Sequence, residues 1–412
     1  MPRRCPARSV SPFVILAAAA LAACAPAMVA APLPPRQPPP LPPAPAGIAA
    51  PAPAPAVSGP AKVALLVPLS GANAELGQAI LDAAQLALFE TPGERLILVP
   101  RDTAGTADGA AKAARAIIDD GAKLILGPLL ATEVEAVKPI ARDAHLNVIA
   151  FSTVTELAGG NTFLMGFLPR QEVVREVGHA RERGLAHFAA LAPNSPYGRL
   201  MADALRDLAS TSGATVTRVE FYDPRAGDTA PAVKRLFPEA GATAATAPAT
   251  AGANGFDALL LPEGGARLKQ IARQIREASP GGKPLQLLGS GLWDVPDLGS
   301  EPALVGGWFA ASPPELRASF AQRFQVTYGR APPRLASLGY DAAALAAVLA
   351  HGEGEAFSQQ AILRPNGFTG VDGLFRFTPG GLVQRGLAVL EVEPQGDVVV
   401  SPAPQNFQDL AY

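Results

Sequence analysis

Cysteine and histidine are scarce. Two cysteines in 412 residues cannot build a disulfide scaffold or a cysteine zinc site. The four histidines, His145, His179, His187 and His351, are scattered, and none pair at metal-ligand spacing. Charge of one sign is also lacking. With 34 Lys+Arg against 36 Asp+Glu, the formal net charge is -2, so no broad basic surface is on offer to nucleic acid. Catalytic motifs are missing too. There is no G-x-x-x-x-G-K-[ST] phosphate loop, since Gly281-Gly-Lys-Pro284 lacks the spacing and the hydroxyl. There is no G-x-S-x-G nucleophile elbow, and Gly289-Ser-Gly291 does not continue into G-x-G-x-x-G. The expectation is a non-enzymatic protein with no catalytic residues, no metal, no cofactor and no nucleic-acid partner. Apolar residues are plentiful at 49%, which excludes disorder throughout, and the length allows two or three compact units.

The first 60 residues stand apart from the rest of the chain. Arg3, Arg4 and Arg8 form a basic stretch, and Phe13 to Leu21 an apolar one about half as long as a bilayer-spanning helix needs. This reads as a secretory signal peptide over residues 1–23. Its end, Leu21-Ala22-Ala23-Cys24, resembles the bacterial lipobox, which implies that Cys24 is lipidated and becomes the new N-terminus. An ordinary signal peptide cut near Ala25 is the alternative. Removing residues 1–23 takes three arginines and no acid, leaving 31 basic residues against 36 acidic, a net charge of -5. Pro32 to Pro60 then holds 13 prolines in 29 residues. Proline fixes φ and donates no hydrogen bond, so residues 24–61 read as a lipidated cysteine plus a stiff Pro/Ala-rich linker. At ~3.1 Å per residue the proline-rich segment reaches roughly 90 Å.

From Lys62 the chain alternates between strand and helix. Val63–Val67 is a short, wholly apolar run of the kind that parallel strands bury on both faces. A helical pattern follows from Glu75 to Phe89, then a strand at Leu96–Val99 and a helix at Asp108–Asp120. Strand Leu124–Leu126, helix Thr132–Ala144 and strand Asn147–Phe151 complete a first β-α-β series. A second runs through helix Gln171–Arg183, strand Phe188–Leu191, helix Arg199–Ser210, strand Thr215–Phe221 and a helix near Ala230–Phe237. It ends with strand Ala258–Leu261, helix Ala266–Ala278 and strand Leu285–Leu288. Ala240–Gly255 is an Ala/Thr/Gly tract expected to be an exposed insertion. Residues 315–350 read as helical, and Leu374–Phe377 and Leu387–Val392 as late antiparallel strands. The fold class is α/β, with two doubly wound lobes.

The order of these elements resembles the type I periplasmic binding fold, as in leucine/isoleucine/valine-binding proteins. The stretches that carry the resemblance are Val63–Gly71 with Gly77, Ile125–Pro128, Phe151–Thr153, Pro196–Gly198, Leu338–Ala342 and Phe368–Gly373 with Phe375 and Phe377. The resemblance implies two discontinuous lobes joined by a hinge, with a ligand cleft between them, over residues 62–400. Lobe 1 is expected at 62–167 and 312–372, lobe 2 at 168–311 and 373–400, and a tail at 401–412. Leu66–Gly71 and Gly127–Glu135 followed by Asn147–Ala150 resemble more closely the lipoproteins that activate penicillin-binding proteins. That branch implies a regulator of peptidoglycan synthesis, anchored by lipid in the outer membrane, facing the periplasm, with a penicillin-binding protein as partner. A helical-repeat domain like that of the longer activators is not expected from residues 1–412. The alternative is a solute-binding lipoprotein that delivers a branched-chain amino acid, or a similar small polar ligand, to an ABC permease.

The resemblance also implies a set of cleft residues. Ser70, Thr132, Ser152 and Thr153 lie where hydroxyls and backbone amides would meet a carboxylate. Tyr197 keeps the family's aromatic position. In the loop Gly289–Asp294, where the resemblance implies an acid that would meet an ammonium, glycine stands instead. Asp294 or Glu263 stands as a substitute, and Trp293 as a stacking surface. Each also has a structural reading: Ser152 and Thr153 as helix caps, Tyr197 as a turn residue, Trp293 as core, Glu263 as a solvated loop acid. Asp294 and Asp102 are turn formers on that reading.

Overall fold

The computed structural model describes residues 59–91, 95–237, 255–279, 285–352 and 355–408. The signal segment, Cys24, nearly all of the proline-rich stretch and the Ala/Thr/Gly tract up to residue 254 lie outside the described residues.

The first lobe opens with β1 (Ala61–Val67), α1 (Ala74–Glu90), β2 (Leu96–Asp102), α2 (Ala107–Asp119) and β3 (Leu124–Leu126). It continues with α3 (Ala131–Asp143), β4 (Asn147–Ala150) and β5 (Thr162–Leu164). The strands form one parallel sheet in the order β2-β1-β3-β4-β5. Val63 to Val67 have no exposed surface, because helices cover both faces of the sheet. The second lobe comprises α4 (Pro169–Glu182), β6 (His187–Pro193), α5 (Pro196–Ser212), β7 (Thr215–Tyr222) and α6 (Ala230–Leu236). To these it adds β8 (Ala258–Leu260), α7 (Gly265–Ala278), β9 (Gln286–Leu288) and β10 (Trp308–Ala311). Helix α5 shows why such boundaries fall where they do. Ser195 Oγ accepts a hydrogen bond from Gly198 N at 3.2 Å, Pro196 occupies the first turn, and Gly213 closes the helix at φ +67°.

The chain then returns to the first lobe with α8 (Pro314–Tyr328), α9 (Ala336–His351), the short α10 (Gln359–Ile362) and a small antiparallel sheet. That sheet consists of β11 (Phe368–Gly370), β12 (Gly373–Phe377) and β13 (Val383–Arg385). The segment expected to be helical over 315–350 is two helices. Gly329 at φ +71° ends the first, and Pro332-Pro333 prevents continuation. Helix α9 lies close on α1: a Cβ on Gly339 would stand 2.2 Å from the Ile80 carbonyl oxygen, so only glycine allows this approach. Finally β14 (Ala388–Glu391) and β15 (Val398–Ser401) extend the second sheet, in the order β15-β14-β10-β9-β8-β6-β7.

Residues 373–385 were expected in the second lobe. They belong with the first lobe, because Phe375, Phe377 and Val383 pack in the same core as Ile80, Phe163 and Leu338. The last crossing therefore lies at Gly386-Leu387, after β13. The 401–412 tail is also anchored as far as it is described. Phe407 is buried against Gly367 and lies under the Arg376 guanidinium at 4.4 Å, both first-lobe residues. Strands β5 and β10 had no counterpart in the sequence reading.

Candidate functional site in the interlobe cleft

The crossings define the cleft. β5 ends at Leu164, and residues 165–168 lead straight into the first turn of α4. In a β-α-β unit a helix starts at the edge where strands end, so the C-terminal edges of the two sheets adjoin across this crossing. Ligands of open α/β sheets bind outside those edges, where the strand order reverses. In the first sheet that point lies between β1 and β3, and in the second between β6 and β8.

The floor is an ionic network tying all crossings together. Arg385, 1% exposed, donates from Nη2 to Met165 O at 2.8 Å and lies 3.8 Å from Asp341. Arg334 donates to Asp372 Oδ1 at 3.0 Å and to Ser312 Oγ at 3.1 Å, and stacks 3.8 Å above Phe167. Burial pushes Asp372 upward, but Arg334 and Arg385 outweigh it and hold the carboxyl below its ordinary range. Asp341, equally buried and repelled by Asp372, is pushed up. Asp294 of the second lobe pairs with Arg317 and, at 3.5 Å, with Arg334, both from the first lobe.

On the first-lobe wall, Ser70 is exposed and its Oγ donates to Asp102 Oδ2 at 2.6 Å. Asp102 also accepts from Leu69 N, Ser70 N and Ala104 N, at 2.8, 3.2 and 2.7 Å. Burial works against its charge, but these donors win and keep it ionised below the ordinary range. Thr132 is exposed in the first turn of α3. The neighbouring Glu133 is buried and accepts from Leu130 N at 2.9 Å and from Thr103 Oγ1 at 2.5 Å. Ser152 is 5% exposed, and its Oγ accepts from Val154 N at 3.2 Å, a local turn contact, while Thr153 is exposed.

On the second-lobe wall, Tyr197 and Glu263 stand at the switch point, after β6 and β8. Glu263 accepts from the Tyr222 hydroxyl and from Gly264 N. Tyr197 is half-buried and hydrogen-bonds Ser290; burial, with the charges of Glu172, Glu176 and Glu263, pushes its phenol up. Two expected cleft residues are engaged elsewhere. Trp293 has no exposed surface, and its Nε1 donates to Leu261 O at 3.2 Å, so the ring fills the second-lobe core rather than a ligand face. Asp294 is committed to its two arginines.

Sequence reasoning missed Glu172. It lies in the first turn of α4, where an acid reads as a complement to the helix dipole. Its Oε2 accepts from Gly291 N at 2.8 Å, and a Cβ on Gly291 would come within 2.6 Å of Oε1. The glycine in the loop after β9 thus leaves room that the carboxylate of Glu172 fills. Burial pushes Glu172 up to about 7, against the Gly291 hydrogen bond and the field of Arg334. The one legible signal was that glycine itself.

This is a two-lobed α/β fold, with polar side chains gathered where the two sheets adjoin. The periplasmic binding protein family profile matches residues 60–397, and the chain belongs to that family. Family membership implies an extracytoplasmic location for the folded part. Among solved structures, a branched-chain amino acid ABC transporter protein from Rhodospirillum rubrum is similar with a TM-score of 0.71 and 20% identity, over 83% of this chain and 100% of that one. The LivJ substrate-binding protein of Streptococcus pneumoniae, in complex with isoleucine, is similar at 0.57 and 18%, over 83% and 100%. A solute-binding protein from R. palustris, in complex with benzoate, is similar at 0.56 and 18%, over 84% and 98%. A curated relative, an uncharacterised protein of Rickettsia prowazekii (strain Madrid E), is 22% identical over 162 residues. The match covers 39% of this chain and 43% of that relative's length.

Proposed function

We propose that this chain is an extracytoplasmic solute-binding protein that encloses a small polar ligand between its lobes and presents it to an ABC permease. The observation that carries the reading is the pairing of two strand-order switch points across one hinged cleft, with Glu172, Tyr197 and Ser290 on the second-lobe wall. Ligand pockets of this kind carry a few placed polar groups in a largely apolar wall, and the Glu172 carboxylate and the Tyr197 phenol are groups of that sort. The similar proteins bind isoleucine in one case and benzoate in another, which supports a small carboxylate- or amine-bearing ligand as the class. Lipidation at Cys24 and the proline-rich spacer would tether the domain to a membrane and hold it above the surface.

The activator reading rests on the segments Leu66–Gly71 and Gly127–Glu135, and no feature of the cleft adds to it. One experiment separates the two. The mature chain is screened by thermal shift against amino acids, amines and aromatic carboxylates. A ligand at 100 times its Kd adds about 2.7 kcal/mol of stability, a plain rise in Tm. A specific hit supports solute binding. A flat screen, together with capture of a purified penicillin-binding protein by the same chain, would overturn it in favour of the activator.

A further inference from the structure

The first lobe holds a second cavity, away from the interlobe cleft. Helix α1 runs from the cleft edge of the first sheet back to the start of β2, so its C-terminal end lies at the opposite edge. There the ends of α1 and α9 meet around a cavity of about 390 Å³, lined by Thr91, Ala347, Val348, His351, Gly352 and Arg364. Ala347 and Val348 form an apolar wall, and Val348 is 44% exposed. The Thr91 hydroxyl donates to Ala87 O at 2.7 Å, which leaves its oxygen free to accept. His351 Nδ1 lies 2.7 Å from Ala347 O. A carbonyl only accepts, so Nδ1 carries the hydrogen, and the neutral ring leaves Nε2 as an acceptor.

Arg364 is the charged member of the lining. It is half-buried, and its guanidinium lies 5.4 Å from the centre of the Phe368 ring. A cation suits the end of α9. A guanidinium has five N–H donors, however, and among the described residues no carboxylate pairs with it.

The chain's own tail comes to this place. Asp409 is the single charged residue of 402–412. Phe407 packs on Gly367, and Gly367 N donates to Arg364 O at 3.0 Å, closing one turn over 364–367. Arg376, over the Phe407 ring, already commits Nε to Gln384 and Nη1 to Pro365 O. Residues 409–412 lie outside the described residues. At about 3.3–3.6 Å per residue, Asp409 stands no more than about 7 Å along the chain from Phe407, so its carboxylate can reach the Arg364 side chain.

We propose that this cavity seats the chain's own tail, with the Asp409 carboxylate on the Arg364 guanidinium and the Leu410 side chain against Val348. Charge-assisted pairing matches the one acid of the tail to the one cation of the lining. Thr91 and His351 offer acceptors to the tail's N–H groups. The seat carries the chain past Phe407 onto α9, and so ties the segment that follows β15 to the first lobe at a second point.

The test is hydrogen exchange of the mature chain, followed on peptides spanning 402–412 and corrected for intrinsic rates, with Arg364→Gln, Asp409→Asn and the double variant. The amides of 409–412 are expected to exchange roughly fivefold slower in the parent than in either single variant, the scale of a partly exposed ion pair. The double variant should exchange no faster than the singles, and the difference should shrink in about 0.5 M sodium chloride. Protection around Phe407 should stay as in the parent, which separates this seat from the Phe407 contact and excludes a folding defect. The reversed pair, Arg364→Asp with Asp409→Arg, should restore slow exchange. Equal exchange of 409–412 in parent and variants would overturn the proposal. So would coupling of Arg364→Gln to Glu353→Gln and not to Asp409→Asn, since Glu353 adjoins Gly352 and is the rival acid. Tail protection that grows with protein concentration would assign the cavity to the tail of a second copy. Stabilisation by inorganic phosphate, lost in Arg364→Gln and without tail protection, would assign it to a free anion. Either result overturns the seat.

Discussion

Glu172 carries a cost that its own substitution should expose. Its carboxyl titrates near 7 in the folded chain, against an ordinary 4.5. The folded state therefore holds this proton more tightly than the unfolded state does. The contribution is most favourable below about pH 4.5 and is lost as pH rises through 7, where a charge must be carried in a partly enclosed site. Glutamine mimics the protonated acid and keeps an oxygen for Gly291 N. Thermal unfolding of unliganded Glu172→Gln should thus match the parent at pH 4 and exceed it by a few degrees at pH 8. Equal melting at both values would mean that the carboxylate is better solvated than its surroundings indicate. Glu172 also shows where reading a sequence stops. The loop glycine after β9 was legible as a missing acid, but the residue that fills its space lies more than a hundred positions earlier. Asp294, three residues along, looked the natural substitute and is instead held by Arg317 and Arg334 from the other lobe. Trp293 looked like a stacking surface, yet Gly289 and Gly307 make the room that takes its ring into the core.

At the level of elements, periodicity served well where it was long. Helices α1, α2, α3, α5 and α7 lie where apolar spacing put them; α2, α3, α5 and α7 each bury one stripe, while α1 is buried on the sheet side and also against α8 and α9. Three-residue strands were legible where all were apolar between turns, as at β3, but not at β5, and the return of the chain to the first lobe came from the family resemblance rather than from local pattern. That return depends on α9 lying hard against α1, and the contact makes a sharp test. Gly339→Ala places a methyl group 2.2 Å from the Ile80 carbonyl oxygen, which belongs to the backbone of α1 and cannot rotate away. The helices must separate, at a cost of about 1–3 kcal/mol by the usual scale of overpacking. Chemical denaturation should show a lower midpoint with an unchanged m value. A neutral result would require α9 to shift along its axis without loss.

At the scale of the whole molecule, the lobes are linked by more than the crossings of the chain. After β15 the chain turns back over Gly386, where Pro404 packs, and reaches the first lobe at Phe407. Arg175 of α4 holds the start of this segment through Ser401 Oγ at 2.6 Å and Pro402 O at 3.2 Å. This strap is fixed to one lobe by Arg175 and to the other by Phe407, and Asp294 pairs with Arg317 and Arg334 across the lobes, so these contacts would restrain an opening about the hinge. Burying one phenylalanine contributes at most about 2–3 kcal/mol, enough to bias an opening equilibrium without dictating it. Phe407→Ala, or truncation after Ser401, should therefore leave both lobes folded and shift the unliganded chain toward open forms. Small-angle scattering should then show a larger radius of gyration, reversed by saturating ligand. Ligand affinity should fall by the same factor by which the closed form is depleted. If the radius of gyration and the affinity both stay at their original values while Tm drops, the strap stabilises the first-lobe surface and has no part in closure.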